Sequence, residues 1–480
     1  MQNYIPKDQR KKILLMCDDI RFTSGIATMA REIVIQTAQH FNWVNIGGAL
    51  NHPEKGSRLD LSADTNTNAG IEDASVFVYP TDGYGTIEFV RQIIETEKPD
   101  AIMLFTDPRY WVWLFQHERE LRQQMPIVYL NIWDDLPYPL YNKSFYDSCD
   151  ALFAISKQTE NINRVVLGEN AKNKIIKYIP HGINEKVICP LDKSSDDFKQ
   201  FKESILGKEE KDFVAFYNAR NIRRKSTSDL ILSFKTFIDT LPKQQADRCA
   251  LILHTDPVDE NGTDLPAVIE MMLGNTQKNV FISNQKIPVE ILNKYYNLAD
   301  ITCLISSNEG WGLSITESMM AGTPILANVT GGMQDQMRFE DKNGEWIKFT
   351  EEFGSNHLGK YKKHGKWVFP VFPSNISLVG SVPTPYIFDD RCDFRDVANQ
   401  LSAAYALKME DANEYNKLGD AAREWVTSDE SMMSSRKMGE NIIEGIEATF
   451  EKWEPRSMFD FIKIEDYKPK HLKYPVAQYE

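Results

Sequence analysis

Two glutamates in "NEGWGLSITESMMAGTPILA" (residues 308–327) stand eight apart around a Gly-Trp-Gly turn. Glu309 sits in the turn itself, after the apolar run "DITCLIS". Glu317 falls about one turn into what reads as a helix. Gly310 and Gly312 let the backbone come close to a ligand, and the helix start offers free amides. One acid on a loop and one on the first helical turns suit hydrogen bonds to two separate sets of hydroxyls on one extended molecule. A helix-start acid complementing the dipole, beside a solvated loop glutamate, would read the same way, and this stretch alone does not separate the two.

"NARNIRRKS" (218–226) adds positive charge just after a strand-like run. Arg220 and Lys225, five apart around a strand-to-helix turn, can converge on a diphosphate, the arginine as a fork of donors and the lysine as a point charge. Arg223 and Arg224 lie in the same turn, so a solvated basic loop is the competing explanation. In the first half of the chain, Asp107 and Arg109 follow the run "DAIMLF" and are expected to point into a cleft. Tyr110, Trp111 and Trp113 line either a platform or a core.

These residues need a scaffold, and the chain supplies two. At 480 residues it exceeds one core. Apolar runs at 12–17, 42–48, 74–79, 100–105, 126–131, 151–155 and 175–179 alternate with helical segments, notably 85–97 and 109–124. A second alternating series runs from 212 to 329. Such alternation predicts two doubly wound α/β sheets, with a ligand cleft at the C-terminal ends of their strands. The expected plan is an acceptor-side domain over 1–188, a polar linker at 189–200 and a second domain over 201–452. An insertion at about 338–392 interrupts the second domain, and 453–480 is expected to cross back to the first. The helical pattern at 394–452 is expected to cover the second sheet.

The composition is that of a soluble globular protein, 42% hydrophobic and 26% charged. The net charge of −14 opposes broad binding to nucleic acid or anionic lipid. The N-terminus lacks a signal-peptide apolar core and no run is long enough to span a membrane. The six cysteines are scattered and read as reduced core residues, so a cytoplasmic protein is expected. No Asp-x-Asp pair appears and the eight histidines have no ligand spacing, so no metal site is expected.

Taken together, these motifs resemble the family-4 glycosyltransferases, retaining enzymes of the GT-B fold, in which two Rossmann-like domains face a central cleft. "NARNIRRKS" is similar to the family's Arg-x4-Lys diphosphate motif, and "EGWGLSITE" to its Glu-x7-Glu motif. "ESMMAGTPILANVTGG" resembles the segment that follows, "YIPHGIN" (178–184) the lead-in to the linker, and "FTSGIATMARE" the donor-side glycine loop, with Gly25 at its apex. The resemblance implies a UDP- or GDP-sugar as co-substrate, with no further cofactor. It assigns Arg220 and Lys225 to the leaving diphosphate, Glu309 to hydroxyls of the transferred sugar and Glu317 to the ribose. Gly310, Gly312 and the helix start at Leu313 and Ser314 would add backbone donors for developing charge. Transfer would be metal-independent and retain anomeric configuration.

Two departures stand out. Where the family often has a histidine before an aspartate, "YLNIWDDLPYP" has Trp133; Asp134 is the nearest polar candidate to touch acceptor or sugar, with Asp135 the alternative. A helix-capping role for Asp134 before Pro137 is the competing explanation. The insertion contains "HLGKYKKHGKWVF" (357–369), four lysines among aromatics. It reads first as an exposed β-hairpin and second as a nucleic-acid surface, which would suit transfer to a modified base in DNA as in phage enzymes. A glycan or small molecule is the simpler acceptor. A GT-B phosphorylase would need a cofactor lysine for which no motif is seen, and an inert nucleotide-sugar binder is suggested by Trp133.

Overall fold

The computed structural model describes residues 4–459. The apolar runs become strands because segments buried on both faces must satisfy their backbone groups laterally. In the first lobe these are β1 (Lys11–Asp18), β2 (Phe41–Ala49), β3 (Leu59–Asp60), β4 (Val76–Asp82), β5 (Ala101–Phe105), β6 (Ile127–Asn131), β7 (Ala151–Ala154) and β8 (Ile175–Tyr178). They form one sheet in the order β3-β4-β2-β1-β5-β6-β7-β8, parallel except for the short edge strand β3. The second lobe has β9 (Phe213–Asn218), β10 (Cys249–His254), β11 (Val280–Ser283), β12 (Ile301–Leu304), β13 (Ile325–Asn328) and β14 (Val368–Val371). Its order is β11-β10-β9-β12-β13-β14, all parallel. Both are Rossmann-like doubly wound sheets. Each reverses its winding at one point, between β1 and β5 and between β9 and β12, where a crevice opens at the strand ends.

Helix starts follow from short polar caps. Ser24 accepts from the Ala27 amide to begin the helix Gly25–Thr37, and Ser156 does the same for Lys157–Leu167. Ser195 caps Asp196–Leu206, so a helix already starts inside the stretch expected to be linker. The single helix expected over 109–124 is broken into a 3-10 turn at Pro108–Trp111 and two short helices, Val112–Phe115 and Glu118–Leu121. Trp111, Leu114 and Phe115 are buried at i, i+3 and i+4 while Val112 is exposed, so the helical burial pattern persists locally although the backbone is broken.

The insertion differs more. Residues 357–367 form no hairpin; they lead into β14, whose Val368 and Val371 are buried beside β13. The hairpin of the insertion is instead β15 (Asn375–Ser381) and β16 (Thr384–Arg391). Of the lysines, Lys362 lies over the Phe372 ring, Lys360 over Phe353, and Lys363 pairs with Glu340.

Three helices end the described chain. Phe394–Glu410 and Ala412–Thr427 pack on the second lobe, against Thr227–Asp239 and Leu313–Met320. The third, Ser435–Lys452, leaves it and packs on the first lobe, against Gly25–Thr37, β7 and β8. Its close approach uses glycines: a Cβ at Gly445 would stand 2.6 Å from the Phe153 ring, and one at Gly439 2.6 Å from Gln36 Cβ. The return to the first lobe thus begins near residue 435, earlier than expected. Arg456 continues it by donating its amide to the Arg122 carbonyl at 2.9 Å; the rest of the expected crossing segment, from 460 on, lies outside the described residues.

Candidate functional site

The two reversal points face each other, and the loops after β1, β5, β6, β9, β12 and β13 meet there. The turn after β12 carries Glu309. Gly312 has φ +87°, a conformation that favours glycine, and it turns the chain into the helix Leu313–Met320. A Cβ at Gly310 would stand 3.0 Å from the Ile132 carbonyl oxygen of the first lobe. Gly331, after β13, also has positive φ, and any side chain there would run into the Glu309 backbone oxygen while its Cβ stood 3.4 Å from Asp134 Cβ. Small residues therefore let the two lobes close on Glu309.

Lys225 and Glu309, both buried, form a direct ion pair. Arg224 donates to Glu309 Oε2 at 3.3 Å and to the Asn308 carbonyl at 2.6 Å. Burial pushes the Glu309 carboxyl up, but Lys225 and then Arg224 override it and hold it at about 2. Burial lowers Lys225 despite the attraction of Glu309. Opposite, burial raises Asp134 to about 6 against the pull of Arg224, with Glu309 adding repulsion. Asp135 is also raised, first by burial and then by Asp134, and accepts from Asn308 at 2.5 Å. The site thus holds one carboxylate kept in its ionised form and, beside it, a pair, Asp134 and Asp135, that burial and mutual repulsion push towards the protonated form.

Glu317 takes a different partner. The Tyr296 hydroxyl donates to it at 2.5 Å, and the Asn218 amide, at the end of β9, donates to that hydroxyl at 2.8 Å. Burial raises the Glu317 carboxyl to about 7, with the Tyr296 bond opposing. Gly25 faces this helix start: its Cβ position is 3.4 Å from Leu313 Cδ1, and Ser314 is buried one residue on.

Not every expected residue converges. Arg220 points away to a half-exposed pair with Asp259 at 2.8 Å, and Arg224, grouped in the sequence with a solvated turn, takes the place beside Glu309. Asp107 caps the turn after β5, accepting from the Arg109 amide at 2.9 Å, and its carboxylate also holds the Arg109 guanidinium. That guanidinium reaches Thr384 of the hairpin and lies 5.6 Å from the Trp133 ring. Trp133, where the family's histidine would stand, is buried and donates to the Asp135 carbonyl at 3.2 Å. Of the aromatic trio, Trp111 is core while Tyr110 is 54% exposed. Tyr296, Asn308, Thr330, His357 and Asp390 also line or support the site. Asn308, Thr330 and His357 lie within stretches already singled out in the sequence, but without an assigned role; Tyr296 and Asp390 are brought in by packing. Among the described residues no group of three or more His, Cys, Asp or Glu side chains is arranged to hold a metal ion, and no helix is long and apolar enough to cross a membrane.

Residues 198–354 match the family described as glycosyl transferases group 1. The chain is 27% identical over 175 residues to the alpha-monoglucosyldiacylglycerol synthase of Acholeplasma laidlawii, covering 36% of this chain and 41% of that one. It is 26% identical over 189 residues to the D-inositol 3-phosphate glycosyltransferase of Corynebacterium jeikeium, 39% of this chain and 43% of that one. The chain therefore spans about two fifths of the length of these curated relatives. Among solved structures, Anabaena Alr3699/HepE in complex with UDP and glucose superposes with TM-score 0.61 at 14% identity, over 92% of this chain and 100% of that chain. Sucrose-phosphate synthase from Thermosynechococcus elongatus superposes with TM-score 0.63 at 17% identity, over 92% and 100%. The fold is GT-B, and the chain resembles the family-4 glycosyltransferases.

Proposed function

We propose that this chain, which carries a glycosyl transferases group 1 domain over residues 198–354, moves a sugar from a nucleotide-diphosphate sugar to an acceptor hydroxyl. The observation that carries the reading is the Lys225–Glu309 pair, flanked by Arg224 and facing Asp134 across the two crevices. A buried cation beside a buried acid costs desolvation, and a ligand that offers the cation a phosphate and the acid its hydroxyls matches both.

In this reading Lys225 and Arg224 neutralise the diphosphate as it leaves, and Arg220 joins them on releasing Asp259. The amides at Leu313 and Ser314 add donors at the same end. Glu309, ionised, accepts from hydroxyls of the transferred sugar, and Glu317 from the ribose. Gly25 leaves room for the donor on the first-lobe side. Asp134, with Asp135, Asp107 and Arg109 on the same side, contacts the acceptor. The bond from the sugar carbon to the diphosphate oxygen breaks, the acceptor oxygen bonds the same face, and its proton passes to the departing phosphate. Configuration is then retained. Lys225, Arg224, the joining Arg220 and a helix start take the charge that a metal ion would otherwise take, so we propose metal-independent transfer.

UDP is the favoured nucleotide, because GT-B neighbours with this architecture are known with UDP and with UDP-glucose. A glycan or small molecule is the favoured acceptor: of the four lysines that suggested DNA, Lys360 and Lys362 lie over Phe353 and Phe372 and Lys363 pairs with Glu340, and the net charge is −14. All six cysteines are free, in keeping with a cytoplasmic setting. The test is a thermal-shift screen of nucleoside diphosphates and their sugars, followed by release of UDP from the stabilising donor. Stabilisation by UDP and, more strongly, by its matching UDP-sugar is expected, with the sugar's added stabilisation lost in Glu309→Ala. Phosphate-dependent sugar release with no nucleotide requirement would overturn the reading in favour of a phosphorylase.

A further inference from the structure

The β15–β16 hairpin leaves the second lobe and crosses the mouth of the cleft. Near its tip, Thr384 accepts from Arg109, and the Tyr386 carbonyl accepts from the Tyr141 hydroxyl at 2.9 Å. The Phe388 amide donates to the Leu136 carbonyl at 2.5 Å, so three alternate residues of β16 are held by the first lobe. The same strand then turns to the second lobe. The Phe388 carbonyl accepts from Asn308 at 2.5 Å, the Asp390 amide donates to the Ser307 carbonyl at 3.1 Å, and the Asp390 carboxylate accepts from Thr330 at 2.7 Å. Asn308 adjoins Glu309, and Leu136 lies two residues beyond Asp134. One strand therefore stands over both acids.

The space beneath it is small. Asp134, Asp135, Asn308, His357, Phe388 and Asp390 enclose a cavity of about 10 Å³, room for roughly one water. No acceptor fits there while the hairpin is seated. Its hold is light at the tip and firm at the base. A two-stranded hairpin is marginal alone; β15 is largely exposed, and Val382 at the turn is 99% exposed. The distal hold consists of the Thr384 and Tyr386 bonds, whereas Asp390 is buried and also paired with His357 at 3.0 Å.

We propose that this hairpin is the acceptor-selecting wall of the site: it pivots about Asp390 to admit the acceptor, and when seated it keeps water from the sugar carbon. The proposal rests on the transfer reading above. A lifted hairpin opens a way to Asp134 between β16 and residues 132–138, where Phe388 and His357 line the space and help determine which acceptor is taken. Without an acceptor, a seated wall suppresses the wasteful reaction in which a water oxygen bonds the sugar carbon, the bond to the diphosphate breaks and a water proton goes to the leaving phosphate.

The Tyr386 hydroxyl also donates to the Tyr138 carbonyl at 3.3 Å, so the test uses Tyr141→Phe/Thr384→Val/Tyr386→Phe, which removes all three distal bonds with little change of shape. UDP-glucose hydrolysis and hydrogen–deuterium exchange are measured on the full chain. Expected are faster exchange over 132–138 and 305–313, and hydrolysis raised about tenfold or more at unchanged KM for UDP-glucose, since one lost hydrogen bond alone supplies a population change of up to about tenfold. Replacing residues 377–387 with a short Gly-Ser link must reproduce both effects. Unchanged exchange in both variants overturns the proposal. So does unchanged hydrolysis when UDP-glucose still stabilises the protein. If exchange rises but neither UDP nor UDP-glucose stabilises any variant, the donor reading fails and the movable wall stands.

Discussion

Lys225→Ala removes the cation that holds Glu309 in its ionised form. Both side chains are about nine-tenths shielded, 11% exposed each, so water does little to replace the lost partner. Against an ordinary glutamate at 4.5, a carboxyl held at about 2 contributes roughly 3 kcal/mol to stability at neutral pH. The sign follows from the depressed value: the contribution is present above about 4.5 and fades as pH falls towards 2. Arg224 stays in the variant, so the loss at pH 7 should be about 2–3 kcal/mol, below that of a pair left with no partner. It should shrink steadily on acidification. Turnover should fall further, by about 10²–10³-fold, the usual effect of deleting one preorganised donor to developing charge. Denaturant unfolding at pH 7 and pH 4, UDP calorimetry and initial rates at saturating donor measure the three effects separately. A variant with wild-type UDP affinity and turnover within about threefold would refute the reasoning, whatever its stability.

Other outcomes follow from the same geometry. Donor KM should rise as pH falls below 7, because Glu317 takes up a proton and stops accepting ribose hydroxyls. In Tyr296→Phe, which loses the bond that opposes this protonation, the rise should begin at higher pH with kcat little changed; the pH profile of KM decides. Arg224→Ala should weaken UDP binding more than Arg220→Ala, since Arg220 must first leave Asp259, and Asp259→Asn should leave binding equal or slightly tighter by calorimetry. Gly445→Ala should destabilise the protein by about 1–3 kcal/mol through collision with Phe153, and speed proteolysis near the last helix. An unchanged melting midpoint would show that this contact relaxes freely.

Much of the architecture was legible because parallel strands buried on both faces must be short apolar runs, and their spacing by helical segments leaves few alternatives. "KILLMC" and "DITCLIS" could only be interior, and glycines after them mark where a ligand or another backbone comes close. Lys225 and Glu309 of the candidate site were picked out for the same reason: each follows a buried strand. What escaped were decisions made by distance along the chain. Which of three arginines turns inward depends on Asp259, which captures Arg220, and on the Asn308 carbonyl, which holds Arg224. Neither partner is encoded near 220.

Residue type and local spacing therefore determined two twisted sheets, the cleft between them and the loops that carry charge. Tertiary structure alone decided that Tyr296 would hold Glu317, that Trp133 would pack and not reach into the cleft, and that two of the insertion's lysines would lie over Phe353 and Phe372 while its later strand closes over Asp134. Periodicity in a sequence reports which face is buried, because burial acts on every residue in turn. It does not report against what, since partners are chosen by the packing of segments tens to hundreds of residues apart.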